Sequence, residues 1–199
     1  MVALPPAAPV VARFSRSVII KITRTRVRWT LTIGAALLAT SATADIPSAA
    51  GACAYVDDHE VVETTPSSYF TALEGGAVVR HEPTGLEWRR CAEGMSWNGT
   101  GCTGSANTWT WQGALQHADA VSGWRLPNLN ELHSIVERCR MDPAVNQQVF
   151  PGTPSSDFWS ASPYAGLSGY AWLVFFRNGY DYWLIKSNIL RVRLVRGGQ

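Results

Sequence analysis

The sequence predicts an α+β domain in which two helices pack on a mainly antiparallel sheet with long loops. Two observations lead there. Strand-like segments lie at both ends of the chain, around 77–90 and 158–195, and one stretch between them carries helical spacing twice. Strands, then helices, then strands build segregated layers, whereas a regular strand–helix alternation would build a parallel sheet.

Residues 1–44 form an export leader. Arg24, Arg26 and Arg28 supply a basic region, residues 29–39 an apolar run too short to span a bilayer, and Ala42-Thr43-Ala44 the small residues of a cleavage site before Asp45. The expectation is export with no retained transmembrane helix, to the periplasm, cell surface or medium. Residues 45–68, small and polar with Pro47 and Pro66, form an extended lead-in, and residues 69–199 the domain proper.

Within the domain, 77–81 and 86–90 predict two strands around Glu82-Pro83-Thr84-Gly85. A loop rich in Gly, Ser, Thr and Asn follows over 92–107, with Trp97 at its middle. Ala114, Leu115, Ala118 and Val121 lay one apolar stripe along a first helix. After the Gly123 turn, Asn128 and Glu131 have capping-box spacing, and Leu129, Leu132, Ile135 and Val136 face a second helix toward the core, out to about Cys139. Met141-Asp142-Pro143 breaks that pattern. Phe158-Trp159-Ser160, 171–176, 180–185 and 189–195 predict the closing strands. Arg177-Asn178-Gly179 signals a type I′ hairpin, and Val192 and Leu194 alternate with Arg191 and Arg193.

All four cysteines follow the leader, and an even count in an oxidising compartment predicts two disulfides. Of the three pairings, the expected one joins Cys91 to Cys102 across a short loop and Cys53 to Cys139 at the end of the second helix. The cysteines are too scattered for a zinc site, and no metal or other cofactor is expected. Six of the 17 Lys and Arg lie in the leader and none of the 15 Asp and Glu, so the rest is weakly acidic and holds a single lysine, Lys186. That balance argues against nucleic acid as a partner.

Several motifs together resemble one family. Thr84-Gly85-Leu86-Glu87-Trp88, Trp124-Arg125-Leu126-Pro127-Asn128 with Glu131-Leu132, Phe158-Trp159-Ser160-Ala161-Ser162 and Arg191-Val192-Arg193-Leu194-Val195-Arg196 resemble the bacterial Lcl C-terminal domain family, a domain of unknown function named after a collagen-like adhesin. The helix pair is also similar to that of formylglycine-generating enzymes and, more distantly, C-type lectins, which implies a C-type-lectin-like fold. Fold alone carries no chemistry. Leu194 stands where many relatives have a cysteine, and no cysteine follows Cys139, so thiol chemistry at that end does not carry over. No collagen-like triplets occur, so trimeric assembly does not carry over either; the oligomeric state stays open.

For function, the aromatic last third stands out. Trp159, Tyr164, Tyr170, Tyr180 and Tyr182, with Asn178 and Lys186, are the candidate ligand-binding residues: flat rings stack on sugars and the polar groups meet hydroxyls. In the return strand Tyr180 and Tyr182 share one face, Asp181 and Trp183 the other. The adhesin namesake adds sulfated glycans, for which Arg89, Arg90, Arg125, Arg140, Arg177 and Lys186 would have to cluster. Catalysis competes through His81, His117 and His133, with Glu131 or Glu137 as acid, but no catalytic arrangement is evident. The expectation is an exported, non-enzymatic binding or adhesion module for glycan at the cell envelope. The alternatives are a protein–protein module of an envelope or appendage assembly and an envelope enzyme with an unrecognised site.

Overall fold

A computed structural model of the chain describes residues 62–198. The expected leader and cleavage site, most of the expected lead-in and Cys53 lie outside the described residues. The fold is α+β, with two helices and antiparallel sheets. Strands β1 (Phe70–Leu73), β2 (Val78–His81) and β3 (Leu86–Arg89) form a meander that β9 (Val195–Arg196) joins beside β3. A second sheet holds β6 (Asp157–Pro163), β7 (Tyr170–Phe175) and β8 (Tyr180–Ile185) in that order, and β4 (Ser96–Trp97) with β5 (Cys102–Thr103) makes a small separate hairpin. Helices α1 (Trp111–Asp119) and α2 (Leu129–His133) lie between the two halves in sequence. Among the described residues no helix is long and apolar enough to cross a membrane.

The β2–β3 hairpin turns at the four expected residues, where Thr84 and Gly85 N–H donate to His81 O. Strand β1 escapes the sequence pattern because only Phe70 of its four residues is buried. Helix α1 starts at Thr110, whose Oγ1 accepts from Gly113 N–H at 3.2 Å, and buries Ala114 and Ala118 as its stripe requires. At α2 the capping box is complete: Asn128 Oδ1 accepts from Glu131 N–H at 2.9 Å, and Glu131 Oε2 accepts from Asn128 N–H at 2.8 Å.

Three expectations need correction. Helix α2 ends at His133, not near Cys139, because the chain turns at Ser134 so that Val136 can bridge to Val145. His133 and Glu137 therefore share no helical face. The β7–β8 connection is a four-residue turn, with Asn178 and Gly179 N–H both on Phe175 O, not a two-residue type I′ turn. Phe176 drives the difference: fully buried, it packs edge-on against Phe158 with ring centres 5.0 Å apart, which pulls the turn inward. Lastly, Val192, Arg193, Leu194 and Val195 are all buried, without alternation. That segment runs between the sheets: Arg191 bonds to β6 through Asp157 O and Trp159 N–H, and Leu194 O accepts from Arg89 N–H on β3. Both faces of the strap are thus enclosed, Val192 and Leu194 in one core and Val195 in the other.

The Cys91–Cys102 disulfide is present, tying β5 to the chain after β3. Cys139 is disulfide-bonded as well; its expected partner Cys53 lies outside the described residues. The last residues of the lead-in are held by a carboxylate. Glu137, with no exposed surface, accepts from the N–H and hydroxyl groups of Thr64 and Thr65 at 2.7–3.0 Å. Burial alone would raise its pKa; those four donors outweigh burial and hold it below the ordinary glutamate value.

Candidate functional site

Two regions combine aromatic rings with charge in a concave surface. The first surrounds Trp124, in the turn between α1 and α2. A cleft of about 200 Å³ is lined by Trp97, Trp124, Arg89, Glu74, Glu93 and Met95, among others, and a neighbouring hollow of about 280 Å³ by Trp124, Arg125 and Arg196 among others. Its rings are already in use. The Arg89 and Arg196 guanidinium groups lie 5.3 and 4.5 Å from the Trp124 ring centre, and that of Arg90 lies 4.4 Å from Trp97.

The arginines there are paired too. Arg125 makes a two-pronged bond to Glu131 at 2.7 Å on each oxygen. At Glu131 burial works against the charge, but the Arg125 bond and the Asn128 N–H outweigh it and lower its pKa; at Arg125 the Glu131 bond leads over burial and raises its pKa. Arg196 bonds Glu74 and Glu87. Glu93, only 5 % exposed, accepts from Arg89 at 3.2 Å and meets His117 Nε2 at 2.8 Å. Arg90 donates to the carbonyls of Val149, Gln148 and Gly76. Arg193, fully buried over Phe150, donates to Arg89 O, Arg90 O and Thr153 Oγ1.

The six cations proposed to meet a sulfated chain therefore form no open cluster. Arg140 pairs with Glu63, Arg177 with Asp142, and Lys186 donates to Ser168 O at 2.6 Å above the Trp111 ring. The histidines are similarly engaged. His81 stacks on Phe70 with Nδ1 2.8 Å from Thr84 Oγ1, its pKa lowered by burial against the pull of Glu82. His117 stacks on Trp109, and His133 Nε2 lies 3.3 Å from Asp181. No group of three or more His, Cys, Asp or Glu among the described residues could hold a metal ion.

The second region is the outer part of the β6–β7–β8 sheet. The register sets Asp157, Phe175 and Tyr180 in one row, Trp159, Leu173 and Tyr182 in the next, and Ala171 opposite Leu184. Opposite residues share a face, so all these side chains stand on one side. A groove of about 280 Å³ forms there, lined by Asp157, Leu173, Phe175, Tyr182, Trp183 and Leu184. Burial pushes the Asp157 carboxyl above its ordinary value, against the opposing charge of Arg191. The carboxylate accepts no hydrogen bond from any described residue. Tyr180 and Tyr182 are 63 % and 48 % exposed, and no ring or cation among the described residues covers them.

The expected site residues do not gather at one point. Trp159 is a correction: it is fully buried, with Nε1 donating to Trp109 O at 2.9 Å, so its ring belongs to the core. Tyr182 lines the groove, and Tyr180 stands on the same face of β8 without lining it. Tyr164 stacks flat on Trp183 at 4.7 Å on the other face, where Trp172 meets both edge-on and Tyr170 lies in register with Ile185. Lys186 sits at the far end over Trp111, and Asn178 caps the turn by accepting from Tyr180 N–H at 3.2 Å. The two-faced alternation of β8 holds, yet both faces of that strand are exposed, because β8 is the outer strand of its sheet. Asp157 went unnoticed in the sequence; its position directly before Phe158-Trp159-Ser160 is the signal that it shares the face of Trp159.

A profile of the Lcl C-terminal domain matches residues 77–196. The chain belongs to that family. The matched span of the Lcl C-terminal domain begins just before β2 and ends with β9, so it holds both aromatic regions, while β1 and the Thr64–Thr65 clip precede it. No curated protein matches the chain.

Proposed function

We propose that the protein is an exported binding module on a C-type-lectin-like scaffold that recognises glycan at the cell envelope. The observation that carries this reading is the β6–β7–β8 groove, which holds the uncovered Tyr182 ring and a carboxylate that has no hydrogen-bond partner among the described residues. Asp157 is only half-buried, so its oxygens stay within reach of a ligand, and a partner-free acceptor beside a free ring face is the kind of group a ligand engages. At about 280 Å³ the groove stands at the lower edge of the ~300–1,000 Å³ usual for small-molecule clefts, which suits one or two sugar rings. Support for the scaffold comes from the Trp124-Arg125-Leu126-Pro127 turn joining the helices and from β9 returning beside the opening hairpin. The Cys91–Cys102 bond supports an oxidising compartment.

The test is binding of the purified, disulfide-bonded protein across a glycan array that includes sulfated polysaccharides. Salt-resistant binding to defined sugars that is lost in Tyr182→Ala is the expected result. Silence from a well-folded sample defeats the reading. A second reading, a protein–protein module of an envelope or appendage assembly, draws on the outer edge of β8 with Ile185 and Ile189 exposed beside it.

A further inference from the structure

The glycan reading leaves the class of sugar open, and the groove narrows it. Its lining holds one charged group, Asp157, among Leu173, Phe175 and Leu184, with the exposed Tyr182 ring on its rim. Arg191, the cation that acts on this carboxylate, donates instead to Ser156 Oγ and forms no ion pair with Asp157. The acceptor oxygens of Asp157 are therefore uncommitted to any described residue, at the side of a largely carbon-lined hollow.

We infer that the groove takes an amino sugar with a free ammonium group in preference to its N-acetylated form. The inference rests on the glycan reading above. An ammonium offers several donors to a carboxylate in a charge-assisted bond, roughly twice as strong as a neutral one. The half-buried Phe175 beside Asp157 offers apolar surface to the C–H face of the sugar ring, and the exposed Tyr182 ring at the rim is placed to stack on a neighbouring ring of the chain. Acetylation deletes the charge, leaves one N–H in place of three, and adds a methyl group that the carboxylate cannot meet. A neutral hydroxyl would also hydrogen-bond Asp157, without the Coulombic gain that a partly buried carboxylate offers. That the Asp157 carboxyl is pushed up by burial fits an anion short of donors.

The experiment titrates the full disulfide-bonded protein calorimetrically at about pH 6, where the sugar amine is protonated. The probes are a β-1,4-linked glucosamine oligomer, the N-acetylglucosamine oligomer of the same length, and lysine amide as an ammonium without a ring. The expected result is at least ~10-fold tighter binding of the glucosamine oligomer than of the acetylated one, about 1.4 kcal/mol. Asp157→Asn, nearly isosteric, abolishes that preference with an unchanged thermal unfolding midpoint, and Tyr182→Ala weakens both oligomers together. Should Asp157→Asn fail to fold, raising the salt concentration on the unaltered protein replaces it: the preference then shrinks if a charge pair sets it, and its persistence overturns the inference. Equal affinity for the two oligomers, or a preference that survives Asp157→Asn, overturns the inference and leaves the glycan reading standing. Lysine amide binding as tightly as the glucosamine oligomer also overturns it, since the groove would then read charge without the ring. Neither oligomer binding while other glycans bind on the array overturns the inference alone; no glycan binding at all overturns both.

Discussion

The Trp124 cleft and the β8 groove are both aromatic, charged and concave, yet they are built to opposite rules. In the cleft each ring carries a guanidinium group and each arginine has a carboxylate or carbonyl partner. In the groove the Tyr182 face is bare and the single carboxylate has no partner among the described residues. The contrast teaches that a count of aromatic residues does not separate scaffold from ligand site. What separates them is whether ring faces, donors and acceptors are consumed inside the fold.

Substitutions in the two regions should therefore divide between stability and binding. The largest stability loss is expected from Glu93→Ala, about 3 kcal/mol by denaturant unfolding, because Glu93 is the carboxylate whose charge offsets the fully buried Arg193, besides pairing with Arg89 and His117. A loss below ~1 kcal/mol would show that the cleft is not the scaffold described. Next comes Gly179→Ala, which probes how the β8 region is held. Gly179 has φ +78° and a Cβ there would stand 2.5 Å from Val136 Cγ1, so about 2 kcal/mol should be lost and β8 displaced. An unchanged melting temperature would contradict that tight approach.

Arg125→Ala removes a two-pronged pair that is partly open to solvent, and screening limits the expected loss to about 1 kcal/mol. Acid titration reads the same pair together with the lead-in clip. Glu131 and Glu137 both have folded pKa values below their unfolded ones, near 4.3. Their contribution is complete above that value and is lost as pH falls through the lower folded values. Glu137→Gln should flatten the decline; an equally steep acid limb in that variant would count against the clip. The smallest stability effect belongs to Tyr182→Ala, within about 0.5 kcal/mol, since an exposed edge-strand ring packs against little. The same substitution should weaken glycan binding at least ~10-fold, and a variant that instead unfolds would place Tyr182 with the scaffold.

Local rules made much of the fold legible. The 82–85 turn, the Thr110 start of α1 and the Asn128–Glu131 capping box are set by residues within a few positions of one another, and each stands where spacing put it. Of the candidate site, Tyr180 and Tyr182 on a shared face were legible from period-two alternation alone. The misses are all long-range. Phe176 reshapes its turn by packing on Phe158, 18 positions away. Ser134 ends α2 because the following residues pair with Val145 and hold the lead-in. Trp159 was drawn into the core by a strap that arrives from residue 191.

The sequence by itself determined the α+β layers, the helix starts and the motifs that mark the family, because those depend on near neighbours and simple periods; it favoured Cys91–Cys102 among three pairings, and the fold decided it. Only the tertiary structure decided which aromatic rings are covered, which arginines are spent on carboxylates, and that Asp157 shares a face with Tyr182. Asp157 and Tyr182 are brought together by strand register across three chain segments, and no local signal encodes where a sheet places its outermost strand.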